Sequence, residues 1–248
     1  MLASRANSSS TAISTVFVHS TTEQVILDKL RSLGAEVRIE PRWEECNEAA
    51  VALAKERPEA IYIHPFIGQD VVRGHTSVVR EIMEQFPAVA RQASIEAVEP
   101  DVLCCSIGGG GFVQGIMLGL TEHAERATSQ AKHVLAVCTI GADSFTRSLE
   151  TDDEFIKLED AHSKALSLRC EACSPIAVQD ARRYASTGSV VGADLSTKGK
   201  AGRYLTVVRA PDDYAGAASW QYRRDSSAHT ELELGCGAAL STSNANLP

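Results

Sequence analysis

Residues 101–112 have the sequence Asp-Val-Leu-Cys-Cys-Ser-Ile-Gly-Gly-Gly-Gly-Phe, in which an apolar run with β character leads directly into four consecutive glycines. An apolar segment of helical character, residues 112–120, follows at once. Glycine allows a backbone to turn tightly enough to direct successive N–H groups at one point, and a helix N-terminus adds its dipole to that field. The pattern predicts a strand, a loop that binds a phosphate group, and a helix. The alternative is a plain flexible turn, which needs only one or two glycines.

Strands and helices are predicted to alternate around this loop. The predicted strands are residues 15–19, 35–39, 60–63 and 132–138, and the predicted helices are residues 22–33, 43–57 and 73–86, the last of which stops before Pro87. This alternation is typical of an α/β fold with a parallel sheet. Ligands of such sheets bind at the carboxyl ends of the strands, where residues 64–66 and 139–145 join the glycine loop.

The pattern is weaker after about residue 150. Residues 179–184 predict a short helix, and residues 186–210, which are rich in glycine and charge, predict a loop or an insertion. Residues 213–222 are consistent with another helix, and residues 231–240 begin one further element. No internal repeat is present, so a repeat architecture is not expected.

The composition limits the classes of function. The chain has 248 residues, of which 44% are hydrophobic and 23% charged, with a net charge of -8. This negative charge argues against nucleic-acid partners and against binding to an anionic membrane. No apolar run approaches the roughly 20 residues of a membrane span. The Ser- and Ala-rich N-terminus lacks the apolar core of a secretory signal, so we expect a cytoplasmic protein.

The seven cysteines and seven histidines do not form a clear metal-binding pattern. An odd number of cysteines, mostly in apolar or strand-like settings, is typical of reduced thiols in the cytosol. Cys170 and Cys173 have the spacing of a metal or redox pair, but zinc would need two further ligands and the histidines show no paired spacing. Packed thiols are therefore favoured for this pair, as they are for Cys104 and Cys105.

Several segments, in matching order, resemble the serine/threonine dehydratases, which are fold-type II pyridoxal-phosphate (PLP) enzymes. They are residues 24–37, residues 62–66 with Gly74 and His75, residues 105–111, residues 141–144 and residues 236–240. The resemblance implies the three-layer parallel-sheet architecture of the tryptophan synthase β class, incomplete in this chain. The implied organisation is a disordered N-terminus (1–14), a remnant small α/β domain (15–87) and a partial PLP-binding large domain (88–248) with an irregular insertion near 186–210.

The resemblance also assigns roles to individual residues. It implies that the PLP phosphate is bound by the backbone of Gly108, Gly109, Gly110 and Gly111. Ser106 would add a hydroxyl group or else only cap the end of the strand. Phe66 would line the substrate side or else serve as a core aromatic residue. Gly141 and Ala142 would offer backbone carbonyl groups to a metal cation.

The chain departs from the family pattern at positions that carry the chemistry. The family binds PLP as a Schiff base on a lysine in a Ser-x-Lys-x-Arg segment, and no lysine here stands in the matching place. Lys198 has the Ser-x-Lys spacing but lies in the expected insertion, so no catalytic residue is assigned. Cys138 replaces a glutamate implicated in a monovalent-cation site, and K⁺ binding is doubtful because a thiol is a poor ligand for a hard cation. We expect a chain truncated at both ends.

The resemblance implies a lyase that deaminates L-serine, with L-threonine as the alternative, to pyruvate and ammonia by β-elimination, with PLP as electron sink. It also implies a homodimer. Because the lysine is both covalent anchor and general base, we expect this chain to be inactive alone, and the sequence does not decide whether it is an enzyme. One alternative is a non-catalytic remnant that binds phosphate ligands or a subunit. A Rossmann-type nucleotide binder is disfavoured, because the glycines lack the Gly-x-Gly-x-x-Gly spacing.

Overall fold

The computed structural model of this chain describes residues 13–127, 133–151, 155–163, 165–186, 188–191, 203–210, 220–224, 230–234 and 238–241. The N-terminal residues 1–12, predicted to be disordered, lie outside these ranges. The chain forms two compact units, Met1–His64 and Pro65–Pro248. Among the described helices, none combines the length and the apolar character that a membrane crossing requires.

The first unit contains a two-stranded parallel sheet. Its strands are β1 (Thr15–His19) and β2 (Glu36–Glu40), which pair in register over five residues. They are connected by α1 (Gln24–Ser32), and α2 (Trp43–Glu56) follows β2. Gly34, at a φ of 83°, makes the turn from α1 into β2, a backbone conformation that favours glycine. These four elements match the predicted ones to within two residues at each end.

The predicted third strand of this unit, residues 60–63, does not form a strand in the structure. Its β-branched composition favours an extended backbone, but a strand also requires a neighbour with which to form hydrogen bonds. The described sheet of this unit contains only β1 and β2. Ile61 and Ile63 are accordingly 86% and 57% exposed.

The second unit is built on a four-stranded parallel sheet. Its strands are β3 (Val102–Ser106), β4 (His133–Thr139), β5 (Gly188–Val191) and β6 (Arg203–Ala210), in the spatial order β3-β4-β6-β5. The helices of this unit are α3 (Gln69–Gln92), α4 (Gly111–Ala127), α5 (Ser144–Glu150) and α6 (Pro175–Ser186), with a short 3-10 helix at Leu166–Leu168. A separate antiparallel sheet follows, with strands β7 (Trp220–Arg224), β8 (Thr230–Leu234) and β9 (Ala238–Ser241).

The structure differs from the sequence predictions in three further places. Pro87 does not end α3 but lies inside it; proline removes only one N–H group, and packing of the rest of the helix outweighs that loss. Part of the stretch 186–210, expected to be an irregular loop, forms β5 and β6, while residues 192–202 lie outside the described ranges. Residues 220–222, the end of the predicted helix at 213–222, belong to β7.

The core of the second unit surrounds β4. All residues from Val134 to Thr139 are buried, as expected for a central parallel strand covered on both faces. The same core includes Val113 and Ile116 of α4, Phe145 of α5 and Val178 of α6. The boundary predicted at residue 87 stays a prediction, and that residue lies within α3.

Three glycines at four-residue intervals, Gly111, Gly115 and Gly119, form one face of α4, which we call the glycine seam. A Cβ placed on Gly115 would lie 2.3 Å from His75 Cβ, and one on Gly119 would lie 2.8 Å from Val79 Cγ2. Since real Cβ contacts are longer than this, α3 can approach α4 so closely only because these positions carry no side chain. The glycine seam therefore holds α3 at a fixed place beside the start of α4.

Candidate functional site

The four consecutive glycines make the turn between β3 and α4, as the sequence predicts. Ile107, buried after the last residue of β3, donates its N–H group to the Val137 carbonyl oxygen at 2.8 Å and so continues the pairing with β4. Gly110 has a φ of 96°, in the left-handed region that favours glycine, and α4 begins at the next residue. The loop thus lies at the carboxyl end of a parallel strand and at a helix N-terminus.

The carbonyl groups of this loop are used for anchoring. The Gly109 oxygen accepts a hydrogen bond from the Ser174 N–H group at 2.8 Å, and the Gly110 oxygen accepts one from the Gln114 N–H group at 3.1 Å. In contrast, the N–H groups of residues 108–112 donate to no other described residue. These five backbone donors lie at the start of a 17-residue helix, whose dipole attracts anions.

All four glycines of the loop are also in close contact with neighbouring protein atoms. A Cβ on Gly108 would lie 3.1 Å from the Leu168 Cα, and one on Gly110 would lie 2.6 Å from the Ala177 Cβ. At Gly109 and Gly111 the neighbour is Phe66. Any side chain in this loop would force its surroundings to move, so the run of glycines has a packing reason in addition to its backbone conformation.

Ser106, Gly141 and Ala142 lie at the ends of β3 and β4, whereas Phe66 follows no strand in the structure. Ser106 is the half-buried last residue of β3 and stands opposite Val137 of β4. Gly141 and Ala142 form the turn after β4, where the Ala142 N–H group donates to the Thr139 oxygen at 3.0 Å. The Gly141 carbonyl oxygen already accepts a hydrogen bond from the His162 N–H group at 3.1 Å. Parallel pairing places both groups at one edge of the sheet.

Cys138, at the position of the expected cation ligand, is fully buried in β4. The Thr146 hydroxyl group donates to its sulfur atom at 3.1 Å, and burial raises the pKa of the thiol to about 11. The thiol is therefore neutral at physiological pH and is not the anionic oxygen ligand of the family pattern. The buried carboxylate of Asp143, which also raises the pKa of Cys138, forms an ion pair with Arg147 at 3.2 Å.

The Cys170 and Cys173 pair shows the character of packed thiols. Burial raises the pKa of both, to about 11 for Cys170, whose sulfur atom donates to the Ala172 oxygen at 2.9 Å. Within the part of the chain that the structure describes, no three or more His, Cys, Asp and Glu side chains cluster in a way that could hold a metal ion.

No described lysine stands at the glycine loop within the second unit. Among the described residues of this unit the lysine is Lys157, whose side chain is 59% exposed. Its Nζ atom lies 3.6 Å from the Glu171 carboxylate. Lys29 and Lys55 are exposed residues of the first unit. The remaining lysines, which include Lys198 with its Ser-x-Lys spacing, lie outside the described residues: Lys132, Lys164, Lys198 and Lys200.

Sequence reasoning missed one polar pair beside the loop. Gln114, almost fully buried in the first turn of α4, donates from Nε2 to Asp180 Oδ2 of α6 at 2.7 Å. Asp180 also pairs with Arg183 at 3.1 Å. The signal was present, since Gln114 is a lone polar residue within an apolar run, and a buried amide needs a partner. The pair joins α6 to the end of α4 that presents the free N–H groups.

The chain is similar to known proteins along most of its length. A sequence profile of the family described as "Pyridoxal-phosphate dependent enzyme" matches residues 11–197. An L-serine dehydratase of Saccharomyces cerevisiae (strain YJM789) is 31% identical over 207 residues, which are 80% of this chain and 56% of that protein. An L-serine dehydratase/L-threonine deaminase of Rattus norvegicus is 33% identical over 132 residues, 53% of this chain and 32% of that protein. The chain thus spans about half the length of the yeast relative.

The fold is also found among solved structures. A fungal L-serine ammonia-lyase from Rhizomucor miehei superposes with a TM-score of 0.59 at 21% identity, over 83% of this chain and 55% of that one. At this level of identity the likeness concerns the fold. The predicted fold class and the predicted resemblance are confirmed, and the family's cofactor is PLP. The glycine loop at the end of β3, together with a family profile that matches three quarters of the residues, shows that this chain belongs to the pyridoxal-phosphate dependent enzymes.

Proposed function

We propose that the loop of residues 108–111 binds the phosphate group of PLP. The observation that carries this proposal is the set of five N–H groups, residues 108–112, that have no acceptor among the described residues and surround the N-terminus of α4. The loop is held by its carbonyl groups, so these donors are oriented before a ligand arrives. Ser106 would add its hydroxyl group from the end of β3, and Phe66 would border the site.

We further propose that the chain is a homologue of the L-serine dehydratases and acts on a hydroxy amino acid, L-serine or L-threonine. The support is the identity of 31% to the yeast L-serine dehydratase and of 33% to the rat enzyme, whose name includes L-threonine deaminase. When bound, PLP supplies the electron sink for elimination of the hydroxyl group. The role of this chain's residues is to bind the phosphate and to orient the cofactor.

The alternative candidate is a phosphate-ligand module that does not catalyse elimination. It is favoured by the absence of a lysine at the loop among the described residues of the second unit, because such a lysine would be anchor and base at once. Under this proposal the purified chain binds phosphate compounds but deaminates little or no serine.

For either candidate we also propose a homodimer, a cytoplasmic location and a weak cation site at the carbonyl groups of Gly141 and Ala142.

The deciding experiment is an absorbance titration of the purified chain with PLP, pyridoxal and inorganic phosphate. We expect PLP to bind more tightly than pyridoxal, which has no phosphate group, and inorganic phosphate to compete with it. Equal binding of PLP and pyridoxal would contradict the phosphate site. Borohydride reduction and peptide mapping then separate the two candidates. A reduced adduct on one lysine, with pyruvate formed from serine, supports the dehydratase, and phosphate-dependent binding without adduct supports the module.

A further inference from the structure

We propose that Phe66 is the positioning residue of the phosphate loop, and that Gly109 and Gly111 are required by Phe66 and not by the ligand. This inference rests on the proposed function of the loop. The usual reason for glycine in a phosphate loop is that the ligand must approach the backbone closely. Here the space in front of these two Cα atoms is already occupied by one phenylalanine.

The Phe66 ring lies directly on Gly109. A Cβ placed there would lie 2.2, 2.4 and 2.5 Å from Cγ, Cδ1 and Cδ2 of the ring, so three ring atoms fill the position that a methyl group would need. The backbone of Phe66 lies against Gly111, two residues further along the loop. A Cβ on Gly111 would lie 2.6 Å from the Phe66 carbonyl oxygen and 3.0 Å from its Cα. One residue thus contacts alternate positions of the loop.

A second set of contacts to the loop comes from the segment that leads into α6. Ser174 donates to the Gly109 carbonyl oxygen at 2.8 Å, and the Ala177 methyl group occupies the space beside Gly110. Phe66 and the start of α6 therefore both hold the loop in place. Because a peptide plane is rigid, a loop fixed by its carbonyl groups and its Cα atoms has fixed N–H directions as well.

Phe66 is itself held in place by the helix pair that follows it. It lies just before α3, and the early part of α3 packs on α4 where His75 meets Gly115. The loop, the start of α4 and Phe66 consequently belong to one packed assembly. A change in the ring of Phe66 is expected to redirect the N–H groups while it leaves the helix pair intact.

The test is a double-mutant cycle of Gly109→Ala and Phe66→Ala, read by the dissociation constant of PLP and by the melting temperature. We expect Gly109→Ala alone to weaken PLP binding at least tenfold, because the new methyl group displaces the ring. Phe66→Ala alone should weaken it about three- to tenfold. In the Phe66→Ala background, Gly109→Ala should cause no further loss. A second tenfold loss there would show that the ligand itself needs the glycine, and would overturn the inference.

Two further variants separate positioning from stability. Gly119→Ala, which meets Val79 at the far end of the glycine seam, should lower the melting temperature and leave the PLP dissociation constant within twofold of wild type. Phe66→Leu keeps an apolar side chain, so its melting temperature should stay close to that of the wild type. PLP binding should still weaken at least threefold. If Phe66→Leu lowers the melting temperature without a change in affinity, Phe66 is a core residue only and the proposal is wrong.

The same mutant cycle gives different results if the loop binds no phosphate and if Phe66 does not position the loop. If the wild-type chain binds neither PLP nor inorganic phosphate, the proposed function fails, and the melting temperatures alone decide the contact between Phe66 and Gly109. Non-additive losses in the double variant would uphold the contact. Additive losses would refute it.

Discussion

At the scale of single residues, burial sets the chemistry of the thiols. Four described cysteines of the second unit have a thiol pKa raised to about 11 or 12, mainly by desolvation: Cys104, Cys105, Cys138 and Cys170. Only a thiolate is a strong nucleophile, and these four thiols are protonated and weakly nucleophilic at physiological pH. This agrees with the interpretation of Cys105 as a packed thiol, whereas Cys104, also predicted to be packed, is exposed.

Alkylation measures this burial. We expect iodoacetamide at pH 8 to leave Cys105 and Cys138 unmodified in the native chain, because both are protonated and inaccessible, and to modify both in concentrated urea. Mass spectrometry of the peptides gives the extent of modification. Cys104 is the internal control, since it neighbours Cys105 but is exposed and should react first when the pH is raised. Equal native and denatured rates at Cys138 would contradict the fold around β4.

A half-buried imidazole makes stability depend on pH. Burial lowers the pKa of His133, the first residue of β4, below its usual value of 6.5. The unfolded chain therefore binds a proton more readily than the folded one, and the free energy of unfolding falls as the pH drops below about 6.5. His133→Gln should reduce this fall, which urea midpoints at pH 7.5 and 5.5 would reveal. His64, whose pKa is also lowered by burial, leaves a remaining slope. An unchanged slope in His133→Gln would refute the assignment.

At the scale of elements, the glycine seam decides how closely two helices pack. Gly115→Ala should destabilise the chain by about 1–3 kcal/mol, because the new methyl group would lie 2.3 Å from His75 Cβ and 2.9 Å from the Val72 oxygen. That loss exceeds the gain of up to about 1 kcal/mol that alanine brings to a helix interior. Denaturant midpoints measure the balance.

Gly74→Ala is the matched control for this substitution. Gly74 lies in α3 with nothing within 4 Å of the position that a Cβ would occupy. Alanine there should stabilise the chain by about 0.5–1 kcal/mol through helix propensity alone. If both alanine variants gain stability, α3 and α4 do not meet at the seam.

Local signals were sufficient for most elements. The predicted strand at residues 132–138 is observed as β4, and the predicted helix at 43–57 as α2. Both follow from apolar periodicity and from breaker residues, which act within a few positions of the chain. The strand at residues 203–210 was not predicted, because the surrounding sequence is rich in glycine and charge. Their place between β4 and β5 depends on partners far away in sequence.

At the scale of the whole molecule, the two units differ in how much apolar surface they bury. In the described part of the first unit, Leu27 and Cys46 are the buried hydrophobic residues, whereas the main core cluster belongs to the second unit. A two-stranded sheet with so small a core is marginally stable. The second unit should therefore set the global stability of the chain.

Hydrogen exchange tests this difference. We expect the amides of β1 and β2 to exchange at least tenfold faster than those of β4, because local opening of a small core costs less than unfolding of the large one. Mass spectrometry of peptides that cover each strand gives both rates in a single experiment. Similar protection of β1 and β4 would show that the units unfold as one, and would contradict this expectation.

The strand, the glycine turn and the helix at residues 101–120, with the family resemblance that they carry, are predictable from sequence alone. Those features are local, since backbone freedom at glycine and apolar periodicity do not depend on distant partners. The groups that face each glycine are known only from the three-dimensional packing: Phe66 at Gly109 and Gly111, and Ala177 at Gly110. A sequence records the absence of a side chain, but the group that fills its space comes from packing between elements far apart in the chain.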